Sequence, residues 1–328
     1  MKKLDAYTYV LWGNLYKLPY IQMIESIVPI VNNIVVVVDE RFSDGTIATL
    51  ERLCLHHPQI ILIKERLDLD DPGIDGKTKA TARSHCKSDF LIQLDADEIV
   101  RPEDLPKIQR LIENFPTNCD IVNTSVINWF NGDNLKYSVA GWTKERISRN
   151  LPHITHGIPR NHRIQYGQYY QSDKMSDGAG YIDARTGVSM QSNSLCVGNV
   201  RDKNSYENSD AIFIQHYSWY DVVRKWKMSP TWHYFWGLLY GYYKNLDDYT
   251  VNRDGDAVDF WNPMMQKKQS IEELKRSLTN EMREHSIRPV PKWVTHPGLM
   301  SAWIDLAQIY NPRQIMRGRF QEICKNMQ

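Results

Sequence analysis

Ile34-Val35-Val36-Val37-Val38-Asp39, followed after a short polar turn by Ser43-Asp44-Gly45-Thr46, is the stretch on which the reading of the fold turns. Five consecutive β-branched residues with no polar alternation suit a short strand buried on both faces. Such strands belong to parallel sheets covered by helices. Past Asp39 the chain enters a helix that begins near Ser43-Asp44-Gly45, in which Ile47, Leu50, Leu53 and Cys54 recur at helical spacing. Ser43 and Asp44 are best read as capping groups for that helix.

Working outward, the same alternation continues on both sides. Ala6–Leu11 reads as a strand and Pro19–Pro29 as an amphipathic segment. Downstream come a strand at Ile60–Ile63, a basic helix at Lys77–Lys87, and a strand at Phe90–Leu94 that delivers Asp95-Ala96-Asp97-Glu98. Pro102 sits where a first helical turn tolerates proline and opens a helix to about Phe115; a further strand spans Asp120–Ile127. Strand and helix in this rhythm predict an α/β fold, a Rossmann-like, mainly parallel sheet with helices on both faces. From about Gly141 to Gln215 the rhythm gives way to irregular strands and loops, and aromatics crowd between Tyr217 and Tyr243. A helix begins at Ser270, capped with Glu273, and turns Ile271, Leu274, Leu278 and Met282 to one face. The expected division is an α/β domain over 1–216 and a mostly helical, aromatic-rich region over 217–328 packed on it.

The 328 residues carry 40 Lys and Arg against 39 Asp and Glu, with no long like-charge run, so nothing recommends nucleic acid as a partner. The five cysteines are scattered and without C-x-x-C spacing, which argues for reduced thiols rather than a disulfide framework or a zinc site. The longest apolar run falls far short of the roughly 20 residues of a membrane helix. The expectation is a cytoplasmic protein without a transmembrane segment, able to sit on a membrane surface.

Two carboxylates one residue apart, just past a buried strand, point hard oxygen ligands into the crevice where open α/β sheets bind ligands. Asp95 and Asp97 therefore suit Mg²⁺ or Mn²⁺ with substrate phosphates completing the shell. The plainer reading is a chance D-x-D in a loop or a helix cap. Asp39, also at the end of a buried strand, can accept hydrogen bonds from a nucleobase or ribose, or build its own turn. Lys79 and Arg83, four apart on one helix face, can approach a diphosphate or form a solvated basic face.

The stretches VVVVDERFSDGT (residues 35–46) and KTKATARSHCKSDFLIQLDADEI (residues 77–99) together resemble family 2 glycosyltransferases of the GT-A fold, in order and in spacing over roughly residues 5–130. The resemblance implies that Asp39 contacts the nucleotide base, that Asp95 lies near the ribose or metal, and that Asp97 coordinates the divalent metal on the diphosphate. It implies further that Arg83 helps hold the nucleotide end and that Trp12-Gly13-Asn14 lines the base pocket, although the polar residues usual there are replaced. Arg146-Ile147-Ser148-Arg149 and His156-Gly157 are similar to the R-x-x-R and H-E stretches of some members, with Gly157 standing where Glu is expected. Ile214-Gln215-His216-Tyr217-Ser218-Trp219 looks like the H-Y-S segment of lipopolysaccharide-core-type members, and makes His216 a candidate metal or diphosphate ligand.

The implied activity is transfer of a sugar from a UDP- or GDP-type donor to a carbohydrate or glycoconjugate hydroxyl, as in polysaccharide biosynthesis. Inversion in a single displacement needs one general base. Asp177, in a Gly-rich stretch that reads as a loop, Asp183 just beyond it, and His156 are the candidates. The aromatics Trp219, Trp226, Trp232, Tyr234, Phe235, Trp236 and Tyr240 pack a helical core, with one or two left to stack on an acceptor sugar. Two other functions compete: a sugar nucleotidyltransferase, for which Leu11-Trp12-Gly13-Asn14 lacks the Gly-rich loop, and a carbohydrate-binding protein whose GT-A domain is inactive.

Overall fold

The run from Asn33 to Asp39 forms a strand with parallel neighbours on both sides, as its unbroken apolar character requires. The computed structural model that shows this describes residues 2–68, 71, 73–137, 143–159, 180–221, 224–225, 286–307 and 309. Its strands are β1 (Leu4–Tyr9), β2 (Asn33–Asp39), β3 (Ile60–Glu65), β4 (Phe90–Gln93), β5 (Glu98–Val100), β6 (Ile121–Phe130) and β7 (Asn134–Tyr137). They continue with β8 (Thr143–Arg149), β9 (Ile154–His156), β10 (Tyr181–Asp183), β11 (Asn193–Cys196), β12 (Phe213–Trp219) and β13 (Ser286–Pro289). The helices are α1 (Tyr20–Ile27), α2 (Thr46–His56), α3 (Ile74–Ser84), α4 (Leu105–Glu113), α5 (Lys203–Asn208) and α6 (Ser301–Asp305).

The large sheet runs β13-β7-β6-β8-β4-β1-β2-β3, with β5, β11 and β12 joined to it through β6 and β12. Side chains alternate along β2 between two cores, as the strand period of two demands. Ile34, Val36 and Val38 pack with α1, α2 and α4 through Tyr20, Met23, Ile24, Leu50, Ile108 and Ile112. Val35 and Val37 face the other way, onto Tyr7, Leu91 and the α3 residues Ile74 and Ala82. Helices therefore cover both faces, and each fully buried Val or Ile contributes about 1.5–3 kcal/mol.

The pairings among β3, β2, β1 and β4 are all parallel, which is the part the strand–helix rhythm predicts. Antiparallel pairings enter where the rhythm stops. Asn131 and Gly132 take positive φ (45° and 75°), as Asn and Gly tolerate, and turn the chain from β6 into β7. β8 then inserts between β4 and β6, antiparallel to both.

The expected division after residue 216 falls inside β12, which continues to Trp219. β13 pairs with β7 in the same sheet, and Val294 and Met300 join the main core. The described part of the C-terminal region is thus built into the large sheet, because strand pairing and apolar burial both continue across the expected boundary. The expected helix from Ser270 and most of the aromatic crowd (Trp226, Trp232, Tyr234, Phe235, Trp236, Tyr240) lie outside the described residues. None of the four described cysteines forms a disulfide. Among the described residues no helix is long and apolar enough to cross a membrane.

Candidate active site

β4 ends at Gln93, and the chain turns through Asp95, Ala96 and Asp97 before entering β5. The turn is closed from both ends by Glu98, whose backbone N–H donates to the Asp95 carbonyl (3.0 Å) while its carboxylate accepts the Asp95 N–H (3.1 Å). The Tyr217 N–H of β12 donates to the Asp97 carbonyl at 2.9 Å, fixing the turn to the sheet. Both carboxylates therefore sit at the carboxyl end of a buried parallel strand, held by backbone bonds.

Three cations converge on this turn from distant parts of the chain. Lys79 of α3 reaches Asp95 Oδ1 at 3.0 Å, with Asp75 one helical turn back at 3.4 Å. Lys144 and Arg146 are two apart on β8 and so share a face. Lys144 lies 2.9 Å from Glu98 and 3.3 Å from Asp95; Arg146 lies 2.6 Å and 2.8 Å from the same two groups. Arg146 also donates to Gln93 Oε1. Burial by itself pushes the Asp95 carboxyl up, but Lys79, Arg146 and Lys144 outweigh it and hold the group well below the ordinary carboxylate range. Glu98, fully buried, is likewise raised by burial and brought down by Arg146 and Lys144.

Asp97 stands in a different environment. His216 Nε2 is 3.5 Å from its Oδ1, and the other ring nitrogen, Nδ1, is 2.6 Å from Asn128 Oδ1 on β6. Neighbouring strands make this arrangement, since His216 on β12 is in register with Asn128 on β6 and with Glu98 on β5. A histidine whose Nδ1–H is fixed by an amide oxygen presents Nε2 as the outward nitrogen, the usual arrangement behind a metal-bound imidazole. Burial raises the Asp97 carboxyl, but His216, Arg224 and Lys225 more than cancel this and hold it ionised far below its ordinary range. An imidazole nitrogen beside a hard carboxylate oxygen is a donor set that fits Mn²⁺, with phosphate oxygens left to complete the shell. Among the described residues no group of three or more His, Cys, Asp and Glu is drawn together as a complete protein cage.

The remaining expected residues are placed as follows. Asp39 is fully buried, and its two oxygens accept from the Arg41 N–H (2.9 Å), Arg41 Nε (2.8 Å), an Arg41 terminal nitrogen (2.5 Å) and the Leu67 N–H (3.1 Å). Four bonds use up a carboxylate's capacity, so a nucleobase would reach it only by displacing Arg41. Burial raises this carboxyl and the Arg41 and Leu67 hydrogen bonds lower it further than burial raises it. Trp12 takes a positive φ (50°) and buries its ring against Phe42 (4.6 Å between centroids) and Tyr16 (5.8 Å), in the core cluster on the α3 side of the sheet. The N-cap of α2 is Gly45, with no side-chain cap bond, so neither Ser43 nor Asp44 caps the helix as expected; Asp44, one residue earlier, accepts from the Thr46 N–H and the Leu15 N–H and ties the loop after β1 to the mouth of α2. Gly45, at φ 85°, is the residue that lets the turn close there.

Arg83 shares a helix face with Lys79 but is spent on the scaffold. Its guanidinium donates to the Ile154 and Arg149 carbonyls (2.8 and 2.7 Å) and to Ser148 Oγ (2.8 Å), and so binds α3 to β8 and β9. His156 is buried with Nε2 2.6 Å from the Tyr7 hydroxyl and its ring against Tyr181 (4.2 Å). Asp183 ends β10 and is taken up by Arg185 two residues on, at 2.5 Å. Asp177 lies outside the described residues. Trp219 stacks on Phe130 at 6.0 Å, a packing role.

Glu98, Lys144, Gln93 and Asn128 are the site residues that no sequence motif singled out. A K-x-R pair on a strand is visible as two same-face cations, but its partners are 46 to 51 residues away in the chain. Only the insertion of β8 beside β4 brings them together.

No curated protein matches the sequence. Among solved structures, Staphylococcus aureus (S. aureus) TarS 1-349 is 12% identical over 85% of this chain and 79% of its own, with a TM-score of 0.37. A UDP complex of the same TarS fragment is 16% identical over 40% of this chain and 36% of its own, at a TM-score of 0.30. Glucosyl-3-phosphoglycerate synthase from Mycobacterium tuberculosis, in complex with Mn²⁺, UDP and phosphoglyceric acid, is 12% identical over 39% of this chain and 43% of its own, at 0.27. This chain thus spans well under half of the length of those two ligand-bound relatives. The sequence model of Glycosyl transferase family 2 matches residues 22–166, a stretch that takes in β2 to β8 with Asp39, Asp95, Asp97 and the β8 cations.

Proposed function

We propose that the protein transfers a sugar from a nucleoside-diphosphate sugar, UDP- or GDP-type, to a hydroxyl of a carbohydrate or glycoconjugate, with inversion and with Mn²⁺ or Mg²⁺. The observation that carries this reading is the pairing of Asp97 with His216, oriented by Asn128, beside Asp95 and Lys79 at the end of a parallel strand.

Asp97 and His216 would hold the metal, which as a Lewis acid offsets the charge that develops on the leaving diphosphate. Glu98 keeps the Asp95–Asp97 turn in place, and Lys79 adds a cation on the α3 side. Trp12 with Phe42 forms an apolar wall, and Asp39 shapes the turn next to it. The acceptor hydroxyl needs a base opposite the leaving group. His156 and Asp183 are engaged by Tyr7 and Arg185, so Asp177 is the first to replace; Asp177→Asn should lower kcat by about 10²–10⁴ with donor binding kept.

Incubation with a panel of nucleotide sugars and Mn²⁺, following nucleotide release and metal-dependent binding, tests the reading. Nucleoside diphosphate as product supports it. Pyrophosphate chemistry would replace it with a nucleotidyltransferase, and glycan binding indifferent to nucleotide with a binding protein. Asp97→Ala should remove the metal-dependent part of nucleotide binding and leave the fold intact by circular dichroism; unchanged affinity would sink the assignment.

A further inference from the structure

We propose that Lys144 and Arg146 of β8 form a second, metal-independent anion subsite beside Asp97 and His216, taking the diphosphate of the nucleotide, with Asp95 as the exchangeable counter-ion that occupies it in the absence of ligand. The proposal rests on the nucleoside-diphosphate reading above and extends it from the metal pair to the other wall of the crevice.

The two acidic partners of these cations differ in how freely they can be replaced. Glu98 is fully buried and closes the Asp95–Asp97 turn through backbone bonds, so it stays with Arg146. The Asp95 side chain is 25% exposed and the Lys144 side chain 27%, so their contact at 3.3 Å is the one a solute can reach. Lys144 approaches Asp95 Oδ2 and Lys79 approaches Oδ1, so a single carboxylate is bracketed by two ammonium groups. Phosphate oxygens bearing more charge than one carboxylate compete well for such a bracket.

Unmatched donors point the same way. Arg146 Nε and Asn128 Nδ2, on the paired strands β8 and β6, are buried without a hydrogen-bond partner. A buried donor left unpaired costs about 1–3 kcal/mol, and an acceptor-rich ligand is what satisfies it. The surroundings of Asp95 also separate the two carboxylates of the motif. Three cations already neutralise Asp95, whereas Asp97 faces an imidazole.

The test is titration calorimetry of the full chain with UDP, GDP, uridine and inorganic pyrophosphate, each in EDTA and in Mn²⁺. Lys144→Met removes the charge while Glu98 keeps Arg146, so the fold should survive, and Lys144→Arg restores a cation. In EDTA the wild type should bind a nucleoside diphosphate at least tenfold more tightly than the nucleoside, and pyrophosphate should compete. Lys144→Met should lose that preference and Lys144→Arg should keep it, while uridine binding stays level across all three. Diphosphate and nucleoside binding equally in EDTA, or Lys144→Met matching wild type there, would overturn the subsite while leaving the Mn²⁺-dependent reading standing. A wild type that binds no nucleoside diphosphate even with Mn²⁺ overturns both.

Discussion

Two acidic turns follow buried parallel strands of the same sheet, and they are neutralised in opposite ways. Asp39, at the end of β2, is closed by Arg41 two residues on and by the Leu67 N–H, and no part of it reaches solvent. Asp95, past the end of β4, is met by Lys79 from α3 and by Lys144 and Arg146 from β8, a strand some fifty residues further along the chain, and its side chain stays a quarter exposed. The first turn is closed by Arg41 and Leu67 and leaves its carboxylate no open side. The second is assembled by topology and keeps an open side, which is what a ligand-exchanging site requires.

The largest effect expected from this contrast is at Glu98. Glu98→Ala leaves Arg146 and Lys144 without their buried partner, and should cost about 3–5 kcal/mol in urea unfolding. A cost under 1 kcal/mol would show that the β8 cations are not held by that group.

At the other turn, Asp39→Asn should cost about 1.5–3 kcal/mol, the worth of a charged hydrogen bond. Nucleotide affinity should change far less than stability. The reverse pattern would break the comparison and return Asp39 to the nucleobase.

Asn128→Ala frees the His216 ring, and Mn²⁺ affinity should fall about 10–100-fold with little loss of stability, as when other oriented imidazoles lose their support. Equal Mn²⁺ affinity in the variant would remove His216 from the metal pair.

The smallest effect is in pH. Asp95, Asp97 and Glu98 are all held below the ordinary carboxylate range, so the stability they contribute is complete above about pH 4 and is lost as the pH falls further. His296 is held below its ordinary value by burial, its ring 3.8 Å from Trp129. The unfolded chain therefore takes up that proton first, and stability from this cluster is complete above about pH 6.5 and declines below it. Stability against urea, followed by tryptophan fluorescence, should therefore begin to fall as the pH drops below about 6.5, ahead of any loss of nucleotide binding. A single transition near pH 4 by both readouts would contradict this order.

How far a sequence reading reaches depends on how far apart the interacting groups are. The β-branched run at Ile34–Val38, the D-G-T turn and the strand into Asp95 are local signals, and each appears in the structure where its pattern places it. Arg83 shows the limit. Helical spacing put it on the same face as Lys79, yet Lys79 reaches Asp95 while Arg83, one turn on, meets the Arg149 and Ile154 carbonyls. Periodicity names a face but not what packs against it. The family match likewise covers residues 22–166 and stops short of His216, whose ring meets Asp97 only because β12 lies between β5 and β6.

What the sequence determined by itself is the local grammar: buried strands, helices with one apolar face, and two acidic turns at strand ends, each dictated by side-chain period and turn chemistry within a dozen residues. What only the tertiary structure decided is which of those turns gathers distant cations and keeps an open side. Lys144 and Arg146 become partners of Asp95 because β8 inserts antiparallel beside β4. Asp97 gains His216 because a late strand returns to the centre of the sheet. Charge pairing at 2.6–3.5 Å is set by strand order and register, and neither is written in any one segment of the chain.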